Sequence, residues 1–231
     1  NFKIGMIWTD TGFLLSKISF QENSIIANFY TKKHGKCVGI IYGATSKKIK
    51  NYLQNGNELY LEYYSKNDNA LGYFKTEILK PCTSKFFSES TKLTCIVSML
   101  DLIKILTVEG QENSKIYNLI NQLFELLNNE NWKSDYVFWE LNLLKYIGFD
   151  LNLIDYCKCD VSENKKKYFI ESSSKKLTVP NFLVENVKDN ISDREIYDSL
   201  NLISEYMKKN IFIPNNINFP FSRQNFINYF K

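Results

Sequence analysis

The chain has 231 residues, 44% hydrophobic and 23% charged, with a net charge of +4. This composition excludes a disordered chain, which lacks the apolar surface to offset the entropy of ordering, and 9 Gly with 4 Pro exclude a collagen-like one. No apolar run approaches the roughly 18 residues of a membrane span, and the opening Asn1-Phe2-Lys3-Ile4-Gly5 lacks an apolar secretion signal, so a soluble intracellular protein of one large or two small domains is expected.

Residues 1–80 read as β, because short runs rich in Ile, Val, Phe and Tyr recur between turn signals. Strands are expected near Gly12–Ser19, Ser24–Thr31, Lys36–Tyr42, Glu58–Tyr64 and Leu71–Leu79, with a loop over 43–57. Leu59, Leu61 and Tyr63 alternate with Glu58, Tyr60 and Glu62, the pattern of a half-buried strand. Five short strands in this length suit an OB-type barrel. Pro81 marks a change to helical spacing. One stripe is Leu93, Ile96, Val97, Leu100 and Ile103; another is Ile116, Ile120, Leu123 and Leu127, with Ser114 as its N-cap. A third helix, opened by Ser134-Asp135 and closed at Gly148, is apolar nearly all round and is expected at the centre of a bundle. Residues 150–190 are irregular, with a small hairpin expected from Tyr168–Glu171 and Leu177–Val179. The capping box Ser192-Asp193-Arg194-Glu195 opens another helix, and a short one is expected near Ser222–Tyr229. The fold class is therefore α+β: a five-stranded barrel over 1–80, then a helical domain over 81–231 with an irregular insert at about 150–190.

Charge is unevenly placed: residues 1–80 carry +5, residues 81–160 carry −4 and residues 161–231 carry +3. Between Asn23 and Asn57 there is no Asp or Glu, but there are six Lys and the chain's one His. A stretch of one sign creates a positive field that attracts polyanions. Lys32, Lys33, His34 and Lys36 fall in or beside the turn between the second and third strands, and Lys47, Lys48 and Lys50 follow the third. Tyr30 and Tyr42 lie beside them, and aromatic rings can stack on unpaired bases. These nine residues are the expected nucleic-acid contacts. Only Arg194 and Arg223 are arginines, so lysine is expected to fill roles arginine often takes.

Other chemistry is thinly supported. The cysteines Cys37, Cys82, Cys95, Cys157 and Cys159 are odd in number and irregular in spacing, with no disulfide framework. Cys157-Lys158-Cys159 is half of a zinc site at most, since four ligands are needed. His34 and Cys37 would point to opposite faces of a strand, and no second His is present to act as a base. Neither a GxxxxGK[ST] loop nor a GxGxxG fingerprint occurs. No catalytic residue, metal or cofactor is expected.

The motifs GFLLSK at 12–17, QENSII at 21–26, FYTKKHG at 29–35, GIIYGATSKK at 39–48, LQNGN at 53–57 and WELNLLKYIGFDLNL at 139–153, followed by Cys157, stand in an order that resembles the bacterial recombination mediator family RecO. The resemblance implies an N-terminal OB barrel and a C-terminal helical domain. It further implies binding of single- and double-stranded DNA, annealing of complementary strands, and work with RecR and in some bacteria RecF. It implies, in addition, contact with the C-terminal tail of the single-stranded DNA-binding protein, and loading of RecA onto DNA coated by that protein. A cytoplasmic, nucleoid-associated protein without membrane contact is what this resemblance implies. Many members carry a four-cysteine zinc element after the central helix; here Cys157 and Cys159 stand at that place without a second pair, a degenerate zinc-ribbon-like insert. Two other readings compete: a barrel that binds RNA or protein without annealing DNA, and a Cys/His hydrolase.

Overall fold

A computed structural model describes residues 5–66, 70–162, 165–172, 175–185 and 190–231. They form two compact units, Asn1–Phe124 and Glu125–Lys231. The first unit holds β1 (Gly5–Gln21), β2 (Ser24–Thr31), β3 (Gly35–Tyr42), α1 (Lys47–Tyr52), β4 (Glu58–Ser65), β5 (Tyr73–Lys80), α2 (Ser90–Leu106) and most of α3 (Ser114–Leu126). The strands close into a barrel in the order β1-β2-β3-β5-β4. All neighbours are antiparallel except at the seam, where β3 and β5 run parallel with Ile40 opposite Tyr73. This is the OB topology that the strand pattern predicts.

Side-chain parity decides the barrel's two faces. Leu14, Ala27, Phe29, Ile41, Leu59, Leu61 and Phe74 point inward and form one buried cluster. Gly12, Phe13, Leu14 and Leu15 are all buried, so both faces of β1 are covered there. Phe13 points outward against Tyr117 and Phe124 of α3, with ring centroids 5.1 and 6.1 Å away. A strand covered on both sides reads as a continuous apolar run. β1 is longer than the sequence suggests, starting at Gly5, because its first residues pair with β4 and not with the adjacent hairpin. The 43–57 segment, expected as a loop, contains α1; Ala44, Ile49, Tyr52 and Leu53 pack onto the barrel core and close one end. The change of period at Pro81 falls inside this unit, since α2 packs on β1. Asn113 Oδ1, and not Ser114, accepts the first amides of α3, from Lys115 at 3.1 Å and Ile116 at 3.4 Å.

The second unit contains α4 (Trp132–Tyr146), α5 (Leu153–Tyr156), β6 (Lys158–Ser162), β7 (Lys165–Ser172), β8 (Lys175–Val179), α6 (Asn181–Glu185), α7 (Asp193–Met207) and α8 (Phe221–Asn228). The insert is a three-stranded antiparallel sheet in the order β6-β7-β8. It includes the expected hairpin, whose Ser173 and Ser174 lie outside the described residues. The capping box of α7 forms as the sequence predicts: Glu195 N–H donates to Ser192 Oγ and Ser192 N–H to Glu195 Oε2. α4 buries Val137, Trp139, Leu143 and Leu144, and with them a charge, Glu140. It begins at Trp132, two residues before the expected Ser134-Asp135 opening, and Gly148 ends it at φ +88°. Arg223 of α8 is 0% exposed and meets Glu140 through two hydrogen bonds, Nε to Oε1 at 3.0 Å and Nη2 to Oε2 at 2.6 Å. Nη1 also donates to Ser204 Oγ and Nη2 to the Leu200 carbonyl, both on α7. One guanidinium thus joins three helices, and every partner is satisfied, the condition for burying charge. No helix among the described residues is long and apolar enough to cross a membrane.

Candidate nucleic-acid interface

The β2–β3 turn is built around Asp10 of β1, a carboxylate only 6% exposed. Its Oδ1 accepts from Thr11 N–H at 2.8 Å, and its Oδ2 from Lys33 N–H at 2.7 Å. His34 Nδ1 lies 3.0 Å from the same Oδ2, and the imidazole stacks on Trp8 at 4.1 Å with 12° between planes. Trp8 in turn stacks on Tyr63 at 4.8 Å. Lys32 N–H donates to Thr11 O at 2.9 Å. The backbone of the turn is therefore pinned, while the side chains of Lys32 and Lys33 are exposed. Gly35 sits at φ +63°, and a Cβ there would lie 2.0 Å from Gln111 O. The turn can close against the 107–113 loop only because that position is glycine.

The second cluster is α1. Lys47, Lys48 and Lys50 are exposed, while Ile49 and Tyr52 face the barrel. Lys17 of β1 joins them: its Nζ donates to Leu53 O, and its amine is held below the usual lysine range by burial and then by the charge of Lys50. Among the described residues none of Lys32, Lys33, Lys47, Lys48 and Lys50 is paired with a carboxylate, whereas Lys92, Lys104, Lys133, Lys158, Lys176 and Lys208 are. The two clusters lie at opposite ends of β3, whose eight residues span about 25 Å at the usual rise of a strand.

Two expected contacts need correction. Tyr30 is 0% exposed. It points outward from the barrel but lies under the 107–113 loop, its hydroxyl donating to Asn113 O at 3.4 Å. Its ring offers no open face to a base, and burial pushes its hydroxyl up to about 12. Lys36 is committed to the carbonyls of Lys104, at 2.7 Å, and Thr107, where it caps the C-terminus of α2. Tyr42, by contrast, is 54% exposed. Sequence reasoning missed Asp10, Trp8 and Lys17, because all three lie on β1 and reach the clusters through strand pairing. Asp10 left one signal, the one carboxylate in the sequence of β1.

Residues 6–82 match the family described as recombination protein O N terminal, and residues 88–204 match recombination protein O C terminal. The chain belongs to the RecO family. It is 26% identical over 233 residues to the DNA repair protein RecO of Wolbachia sp. subsp. Drosophila simulans (strain wRi), covering 93% of this chain and 96% of that protein. It is 28% identical over 235 residues to the DNA repair protein RecO of Rickettsia canadensis (strain McKiel), covering 95% of each. Its identity to that of Rickettsia africae (strain ESF-5) is 35% over 154 residues, 66% of this chain and 63% of that protein. RecO membership supports a role in DNA repair and recombination.

Zinc does not fit the RecO insert of this chain. Cys159 on β6 stands opposite Tyr168, and Lys158 opposite Phe169, so neither facing position supplies a ligand, and Glu171 farther along β7 is paired with Lys158. Among the described residues no group of three His, Cys, Asp or Glu can hold a metal ion. His34 and Cys37 do not make a nucleophile and base either. The imidazole is engaged by Asp10 and Trp8, while the Cys37 thiol donates to the His34 carbonyl at 3.4 Å and burial pushes it up to about 11. A reactive thiolate requires the opposite shift.

Proposed function

We propose that this RecO-family chain is a recombination mediator without catalytic turnover. It binds single- and double-stranded DNA, anneals complementary strands, and helps load RecA onto DNA coated by the single-stranded DNA-binding protein, in repair of the RecF type. RecR and the C-terminal tail of the coating protein are its protein partners, and it works in the cytoplasm at the nucleoid. Residues 1–80 serve as the nucleic-acid-binding domain and residues 81–231 as the helical domain. The observation that carries this reading is the set of five exposed lysines, at the β2–β3 turn and on α1, that have no carboxylate partner among the described residues. Such side chains neutralise phosphates without reading sequence. Holding two strands on one positive surface lowers their mutual repulsion, which favours annealing. Lys32, Lys33, Lys47, Lys48 and Lys50 carry the charge, and His34 and Tyr42 stand beside them.

The test is anisotropy of labelled oligonucleotides, single-stranded and duplex, titrated with the full chain at several salt concentrations, followed by an annealing assay. Binding that falls steeply with salt and is indifferent to sequence supports the reading. No binding at low salt overturns it, and preference for an acidic peptide or RNA over DNA at the same surface points to an interaction module instead.

A further inference from the structure

We infer that Tyr42, Tyr73 and Tyr64 form a stacking platform for the unpaired bases of single-stranded DNA on the outer face of β3, β5 and β4. The inference rests on the nucleic-acid reading of the barrel and extends it from phosphates to bases. Parity places all three rings outside: their neighbours Ile41, Phe74 and Tyr63 belong to the core cluster or pack against it. Tyr64 and Tyr73 are directly opposed across the β4–β5 ladder, with rings stacked at 5.0 Å and 8° apart. Tyr73 continues to Tyr42, at 5.6 Å and 60°. Three adjacent strands therefore present one contiguous aromatic row.

Cations flank the row. Lys75 Nζ lies 4.9 Å from the centre of the Tyr64 ring. The Tyr52 hydroxyl donates to Thr76 O at 2.7 Å, which holds α1 and its three lysines against β5, next to Lys75. Two carboxylates share this face by parity, Glu62 and Glu77; Glu62 accepts the Tyr64 hydroxyl at 2.7 Å, fixing the ring by its edge. Cross-strand pairing is a sufficient structural reason for Tyr64 and Tyr73. It gives no reason for Tyr42, more than half of which is in solvent. Every base has a face that can stack on an aromatic ring, so such a row is sequence-tolerant. A duplex hides those faces, so the row selects single strands while the lysines accept both forms.

The experiment compares a thymidine oligonucleotide with an abasic strand of equal length, by anisotropy with the full chain. The abasic strand keeps the phosphates and lacks the bases. The unaltered protein is expected to prefer the base-bearing strand about fivefold or more. Tyr42→Ala and Tyr73→Leu lose that preference and keep the salt dependence, while Tyr42→Phe retains both. Equal, salt-sensitive binding of both strands by the unaltered protein overturns the stacking platform alone. So does a Tyr42→Ala protein that still discriminates. Failure to bind either strand removes the phosphate reading and the platform together.

Discussion

Exposure separates the basic side chains into those that can meet a phosphate and those that cannot, and the salt dependence of binding counts them. Five lysines, Lys32, Lys33, Lys47, Lys48 and Lys50, are exposed with no carboxylate partner among the described residues, whereas Lys36 lies in the same acid-free stretch with its amine on the carbonyls of Lys104 and Thr107. If each exposed lysine neutralises one phosphate of a single strand, log K falls with log salt at a slope of about −3.5, near 0.7 per contact. Lys47→Gln with Lys48→Gln should bring the slope to about −2.1. Between about 50 and about 200 mM salt, the unaltered protein should lose affinity about 130-fold and the variant about 20-fold. Lys36→Met should leave the slope unchanged. It should instead lower stability by about 1–2 kcal/mol, because two carbonyls lose a charged donor that solvent only partly screens. Anisotropy titrations at four or more salt concentrations give the slopes, and urea unfolding gives the stability. A slope that drops for Lys36→Met and stays put for the α1 pair would refute the assignment of contacts from exposure.

Two further predictions concern the fold. Burial raises the Cys37 thiol from 9.0 to about 11 and the Tyr30 hydroxyl from 10.0 to about 12. Raised values favour the neutral forms, so this stability is whole below pH 9 and is lost as pH rises through 9 to 12. The urea midpoint should fall over that range, and Cys37→Ala should flatten the part between 9 and 11; identical profiles for both proteins would contradict it. Arg223→Leu should cost about 3–5 kcal/mol by stranding Glu140, and adding Glu140→Leu should restore most of it. Urea unfolding followed by tryptophan fluorescence measures both, and a single-variant cost under about 1 kcal/mol would mean the pair is not as buried as described.

Local pattern carried the barrel. The alternation of Leu59, Leu61 and Tyr63 and the turn signals around β2 and β3 located four of its strands closely. The capping box located α7. What sequence could not reveal is set by distant chain. Tyr30 and Tyr42 have the same parity on their strands, both pointing outward. One is covered by the 107–113 loop and the other is not, and nothing near either residue encodes that difference. Lys36 likewise looks like its neighbours until α2 arrives beside it. The helix α1 was hidden by its six residues, too short to show a period. Glu140 and Arg223 lie 83 positions apart, and only packing joins them.

The chain has two arginines against many lysines, yet one of those two is wholly enclosed. Arg223 reaches both oxygens of Glu140, the Ser204 hydroxyl and the Leu200 carbonyl at once. An ammonium has three N–H groups on a single nitrogen and no planar fork, so it cannot span that set. On the exposed turns and helix of the barrel unit a side chain needs only to carry a positive charge into water, and lysine serves. Depth within the molecule therefore decides where one cation can stand in for the other: drift of composition toward lysine is tolerated on the exposed barrel surface and stops at the helix junction.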